Sequence, residues 1–246
     1  MKLENIPGVK LIGKTIRIPA ALLSRGRLIL ESRRAEEGIL RFNPKAQNMV
    51  ALTFDDGPSP KFTPVVLEIL KEYDAKATFF LIGKNVRKYP ELSRKILSEG
   101  HEIGNHTYTH SPINSMLPPI IRSEIEKCRK TIFEATGVST KYFRPPYGFY
   151  NMAVKKEVAR TNHQMVLWSL RTFDSSYGVV RKKMIEGLVL RRIKAGDIIL
   201  MHDSKSAIKN IMDNNATIKA LPIILEYIKS IGLKAVTVSE LFSRYA

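Results

Sequence analysis

From Met49 onward, short apolar runs alternate with longer stretches whose apolar residues recur at helical spacing, and that alternation restricts the chain to a parallel sheet flanked by helices. Met49–Phe54, Ala77–Ile82, His101–Asn105, Met165–Leu170, Ile198–Met201 and Ala235–Val238 are predicted strands. Pro64–Tyr73, a segment from near Pro90 to Gly100, Pro119–Ala135, Met152–Thr161, Val179–Ile193 and a segment with Leu221, Leu225 and Ile228 on one side are predicted helices. Local signals set the ends: Thr63 stands at a cap position with Pro64 in the first turn, and Gly137 and Gly232 follow helices. A chain of 246 residues can build one sizeable core, and alternation at this length implies a closed or nearly closed α/β barrel. Residues 1–45 do not follow the pattern. They mix short apolar pieces with basic residues and read as an N-terminal extension that packs on a body spanning residues 46–246, or binds a partner.

Composition narrows the partners. Forty Lys and Arg against 23 Asp and Glu give a formal net charge of +17, which favours acidic partners in general. The basic residues are spread along the chain, with small clusters at Arg33-Arg34, Arg181-Lys182-Lys183 and Arg191-Arg192, and there is no zinc-finger or RNP-type motif. The reading is a solvated basic surface with no specific nucleic acid; an anionic membrane surface or an anionic polymer stays open as a partner. The single cysteine, Cys128, excludes an internal disulfide and a zinc site built on several thiolates. It falls among Ile121, Ile125 and Ile132 at helical spacing, as a core thiol does. No run approaches the roughly 18 apolar residues of a membrane span, and the N-terminus lacks the apolar core of about 7–15 residues that a secretion signal carries. The expected location is cytoplasmic, at the membrane periphery if the basic extension lies there.

Residues able to do chemistry collect just after predicted strands: Asp55-Asp56, His106 and His110, Arg144 to Gly148, Asp174, and His202-Asp203. In a parallel barrel those positions share the C-terminal face, where catalytic loops gather. The apolar run that ends at Asp55-Asp56 opens into a Gly57-Pro58 turn. Two such carboxylates divide labour if one binds a metal and the other stays free as a base; taken alone they equally describe a solvated turn. His106-Thr107-Tyr108-Thr109-His110 reads as a loop whose two imidazoles chelate. Two His and one Asp form the three-ligand set of a catalytic zinc site, and Co2+, Ni2+ or Mn2+ suits the same mixture of nitrogen and oxygen. Such a metal polarises a carbonyl and eases deprotonation of water, one Asp takes the proton, and His202 at another strand end protonates a leaving amine. Arg144 can hold the base carboxylate ionised, and Pro145 and Pro146 fix the backbone so that the Tyr147 N–H can face a developing oxyanion.

Taken together, Thr53-Phe54-Asp55-Asp56-Gly57-Pro58, His106-Thr107-Tyr108-Thr109-His110, Arg144-Pro145-Pro146-Tyr147-Gly148 and Leu200-Met201-His202-Asp203 resemble, in order, the motifs of the polysaccharide deacetylase family (NodB-homology domain, carbohydrate esterase family four) over about residues 46–242. The resemblance implies a distorted (β/α) barrel and metal-dependent hydrolysis of N-acetyl groups from amino sugars of a polysaccharide, oligosaccharide or glycolipid. It makes Asp55 the base, Asp56, His106 and His110 the metal ligands, Arg144 the partner of Asp55, the Tyr147 backbone the oxyanion donor and His202 the acid. Pro145, Pro146, Leu200, Trp168, Arg171 and Asp174 are the candidate substrate-lining residues. One segment departs from the pattern: Arg171 stands where the family carries an Asp that supports the catalytic His, and Ser175 where it carries a Trp that walls the pocket. A cation there disfavours a protonated His202, unless Asp174 takes over or Arg171 points into the groove toward an anionic substrate. Hydrolysis of a different amide, such as a formamido sugar or a non-sugar amide, is the alternative at the same site. A non-catalytic binding protein on the same fold is a third reading.

Overall fold

The computed structural model describes residues 11–12, 15–16, 36–172, 190–204 and 215–243. Here β1 (Leu11–Ile12) and β2 (Thr15–Ile16) form an antiparallel pair of their own. The body is a nine-stranded sheet of β3 (Ile39–Leu40), β4 (Met49–Asp55), β5 (Thr78–Leu81), β6 (Glu102–Asn105), β7 (Tyr142–Phe143), β8 (Gln164–Val166), β9 (Leu170–Arg171), β10 (Ile198–His202) and β11 (Lys234–Val236). Its strands are parallel and lie in the order β3-β8-β7-β6-β5-β4-β10-β9, with β11 beside the start of β4. The helices are α1 (Thr63–Glu72), α2 (Gly83–Lys88), α3 (Pro90–Ser98), α4 (Pro118–Thr136), α5 (Met152–Arg160), α6 (Asn215–Ser230) and α7 (Val238–Ser243). The sheet includes β3, which precedes the position where the sequence pattern starts the body.

Residues 164–171 link the two ends of the sheet, because β8 pairs with β7 and β9 pairs with β10. Ser169 N–H donates to the Ile198 carbonyl at 3.0 Å and its hydroxyl to Asp197 at 2.6 Å. On the other side, Leu167 N–H donates to Leu40 and Asn43 N–H to Gly196. The sheet therefore curls until its ends meet, as a distorted barrel. Period-2 alternation sorts the strand residues. Val50, Leu52 and Phe54 of β4, Phe79 and Leu81 of β5, and Ile199 and Met201 of β10 join the layer shared with α1 and α6. Ala51, Phe80 and Ile198 face the interior with Tyr142 and Val166, and Val238 and Leu241 of α7 pack into the same cluster.

Three local expectations are corrected. The strand foreseen over Met165–Leu170 is broken, because the Val166 and Leu167 carbonyls accept from the Arg144 guanidinium. The strand foreseen to reach Val238 stops at Val236, where Thr237 and Glu240 exchange hydrogen bonds as a capping box that starts α7. Thr63 does not cap α1: the cap is Phe62, and the Thr63 hydroxyl accepts from Ser59 N–H and donates to Asp203. The sequence pattern also passes over α2, which ends at Tyr89 just before Pro90 starts α3. Of the helix foreseen over Val179–Ile193, only the end lies within the described residues, with a 3-10 turn at Leu190–Arg192.

Candidate active site

The C-terminal ends of β4, β6, β7 and β10 converge. Asp55 ends β4 in register with His202, which ends β10. Arg144, just past β7, is 0% exposed. Its Nη1 donates to Asp55 Oδ1 at 2.7 Å and to Thr53 Oγ1 at 2.8 Å, while Nε and Nη2 donate to the Val166 and Leu167 carbonyls. Its guanidinium carbon lies 4.1 Å from the Phe80 ring centroid. Burial pulls the Arg144 pKa below its ordinary value, and the Asp55 charge counters it.

After Asp55 the chain turns left-handed. Asp56 has φ 75°, and Thr107, His110 and Tyr147 share that region at φ 65°, 60° and 61°. Such a conformation costs a non-glycine residue on the order of 1–2 kcal/mol, so the surroundings must impose it. They do: Asn85 Nδ2 donates to the Asp56 carbonyl, Thr107 N–H to Asn105 Oδ1, His110 N–H to Thr107 Oγ1, and Thr109 N–H to Glu124. The result brings Asp56, His106 and His110 together, with ligand atoms all within 4.8 Å of one another. Asp56 Oδ1 is 3.1 Å from His110 Nε2 and 3.5 Å from His106 Nε2, and it is buried with no hydrogen-bond partner among the described residues.

His106 Nδ1 lies 2.7 Å from the Arg144 carbonyl, which can only accept, so the ring proton sits there and Nε2 presents a lone pair to Asp56. A buried carboxylate oxygen facing an imidazole lone pair calls for a cation between them, and the donor set fits a divalent transition metal.

Asp203 has no assigned role in the sequence reading, yet it is fully buried and accepts from Thr63. Burial, with the charges of Asp56 and Asp55, pushes it up to about 7 against the Thr63 hydrogen bond. Its carboxylate lies so close under Gly57 that a Cβ there would come within 2.5 Å of both oxygens. Asn85 and Asn105 are supporting residues outside the quoted motifs, and Thr53 and Asp203 lie inside them without an assigned role. Only position hinted at them: Thr53 precedes Asp55 by one pleat on the same face, and Asn105 directly precedes His106.

Tyr147 sets its ring 4.8 Å from that of His110. Pro145, Pro146 and Leu200 are buried, and His202 is half-buried. Trp168 lies 5.8 Å from the Arg144 guanidinium carbon and 6.0 Å from that of Arg171, so it links the two arginines. Asp174 is outside the described residues. Cys128 is buried, and burial pushes its thiol up to about 12, as befits a core residue.

A parallel barrel with such ligands at its strand ends is of the kind that metal-dependent hydrolases use. Residues 42–166 match the family model described as Polysaccharide deacetylase, and the chain belongs to that family. It is 39% identical, over 198 residues, to a peptidoglycan-N-acetylglucosamine deacetylase of Bacillus cereus, covering 80% of this chain and 90% of that one. The crystal structure of the Bc1960 peptidoglycan N-acetylglucosamine deacetylase superposes with TM-score 0.77 at 34% identity, over 84% of this chain and 93% of that one. A family-four carbohydrate esterase pseudoenzyme from Bacillus anthracis superposes with TM-score 0.74 at 28% identity, over 84% of this chain and 69% of that one.

Proposed function

We propose that the protein is a metal-dependent hydrolase that removes the N-acetyl group from an amino sugar of a glycan, with N-acetylglucosamine of a wall-type polymer or a related oligosaccharide as the substrate. One observation carries the reading: the two adjacent carboxylates are already divided, Asp55 toward Arg144 at 2.7 Å and Asp56 toward His110 at 3.1 Å. Asp56, His106 and His110 would hold the ion, with zinc the best match to the ligands. When bound, a divalent cation there polarises the amide carbonyl and eases deprotonation of water.

The chain's own residues supply the rest. Asp55, held by Arg144, takes the proton from the attacking water. His202, across from Asp55 in register, gives a proton to the departing amine so that it leaves neutral. The Tyr147 N–H meets the negative charge growing on the carbonyl oxygen. Leu200, buried beside the acid, offers the acetyl methyl an apolar wall.

The test is a pair of variants assayed for acetate release and for metal uptake. Asp55→Asn binds metal as the parent does while turnover falls by about 10²–10⁴-fold, the usual worth of a general base. Asp56→Asn loses metal affinity. Normal turnover in Asp55→Asn would sink the assignment.

A further inference from the structure

We infer that Asp203 is a positioning residue for the metal centre: its buried carboxylate is the seat on which the loop of residues 56–59 rests, so it fixes the place of Asp56 without being a ligand. This rests on the reading of Asp56, His106 and His110 as metal ligands. Neither the ligand set nor the proton transfers use Asp203, yet it is 0% exposed and lies close to Asp55 and Asp56. A third carboxylate buried there is costly and calls for a use.

Its main chain and its side chain act on different elements. The main chain extends the ladder between β4 and β10 one step past the Asp55–His202 pair, because Asp203 N–H donates to the Asp55 carbonyl at 3.3 Å. The side chain turns under the loop that leaves β4. Thr63, the first residue of α1, donates its hydroxyl proton to Asp203 Oδ2, and the same Thr63 oxygen accepts from Ser59 N–H at 2.7 Å. Both carboxylate oxygens face Gly57, where a Cβ would lie 2.5 Å from each.

The loop is held from the other side as well. Ile82 N–H donates to the Gly57 carbonyl at 2.9 Å, and Asn85 Nδ2 to the Asp56 carbonyl at 2.8 Å. Residues 56–59 are therefore clamped between the end of β10 and the start of α2, and the clamp keeps Asp56 at φ 75°. A carboxylate beside the first turn of a helix also steadies that helix, so the competing role for Asp203 is to stabilise α1. That role changes stability alone; a seat for the loop changes metal affinity too.

The experiment is zinc titration of the apoprotein, with urea unfolding and amide hydrogen exchange at Ser59 and Ile82, for the parent, Asp203→Ala, Thr63→Val and Thr63→Ser. Asp203→Ala and Thr63→Val are expected to bind zinc about 10–100-fold more weakly, the usual cost of losing a group that orients a ligand. Thr63→Ser, which keeps the hydroxyl, binds zinc as the parent does. The double variant Asp203→Ala/Thr63→Val binds no more weakly than Asp203→Ala, since both changes break one relay. In the weakened variants the two amides exchange about two- to tenfold faster, the worth of one lost hydrogen bond. A lower urea midpoint with unchanged zinc affinity overturns the inference and leaves Asp203 a helix-stabilising residue. If Asp203→Ala does not fold, Thr63→Val against Thr63→Ser carries the decision. If the parent takes up no zinc, the metal reading itself fails, and the exchange of the two amides still decides whether Asp203 seats the loop.

Discussion

Arg144 is a guanidinium without contact with water, saturated by one carboxylate, one hydroxyl and two carbonyls and laid over the Phe80 ring. A buried pair of this kind need not add net stability, but removing one partner strands the other charge in a medium that solvates it poorly. Arg144→Met is therefore expected to lower the unfolding free energy by about 3–5 kcal/mol, with the double variant Asp55→Leu/Arg144→Met recovering part of the loss. Urea unfolding of the three chains measures this, and an Arg144→Met protein as stable as its parent would refute it. Arg171 poses a different question. It pairs in register with Leu200, and Leu200 and His202 point to the same side of β10, so Arg171 shares the face of the proposed acid about 7 Å along the strand. A guanidinium there disfavours a second positive charge. Replacing it by a carboxylate, Arg171→Asp, should carry the alkaline limb of the pH–rate profile to higher pH; an unchanged profile excludes any influence on the acid.

At the scale of elements, the site is made by loops that stiff strand ends launch and that buried polar groups then bend. Gly57 lies where a side chain would collide with the Asp203 carboxylate, so Gly57→Ala must shift the loop that carries Asp56. Its expected effect is a metal affinity weaker by about 10–100-fold, read by metal titration of the apoprotein. Gly137 is the control: at the C-terminus of α4, on the opposite face of the barrel, it has φ +74° and open space around it. Gly137→Ala should lose about 1–2 kcal/mol of stability and leave metal affinity unchanged. The same contrast explains what the sequence could reveal. The alternation of β4, β5, β6 and β10 with helices, and the Asp55-Asp56, His106-to-His110 and Arg144-to-Gly148 stretches at strand ends, were legible because each depends on local periodicity or on adjacent residues. The break between β8 and β9 was not, since it answers to a guanidinium that arrives from β7. Thr63 looked like a cap for the same reason: its real partner, Asp203, is 140 positions away. The start of α7 was legible in principle, because Thr237-Val238-Ser239-Glu240 is a capping box read across as strand.

For the whole molecule, the five histidines mark the polarity of the barrel. His106 and His110 follow β6 and His202 ends β10, all on the face that carries the site, whereas His101 and His163 precede β6 and β8 on the opposite face. Those two are buried and serve packing. His163 sits between the hydroxyls of Thr140 and Thr161, and His101 packs edge-on against Phe79. Burial, helped by the charge of Lys76, lowers His101 from 6.5 to about 4, and burial with the charge of Arg129 lowers His163 from 6.5 to about 4. In the unfolded chain both titrate near 6.5, so between pH 6.5 and 4 the unfolded state binds more protons than the folded one. The sign follows: the folded state keeps its full margin above pH 6.5 and loses it as the pH falls toward 4. Each pKa unit is worth about 1.4 kcal/mol, so the two together can remove several kcal/mol over that window. Asp203, raised to about 7, opposes them across the same window, because its folded carboxyl binds a proton that the unfolded one, near 3.8, does not; one such group offsets only part of what the two histidines lose. Urea midpoints between pH 6.5 and 5 should therefore fall steadily in the parent, and fall less in His101→Gln/His163→Gln, although that protein starts from a lower midpoint because it loses native packing. Parallel slopes for the two proteins would show that these histidines do not set the acid sensitivity of the fold.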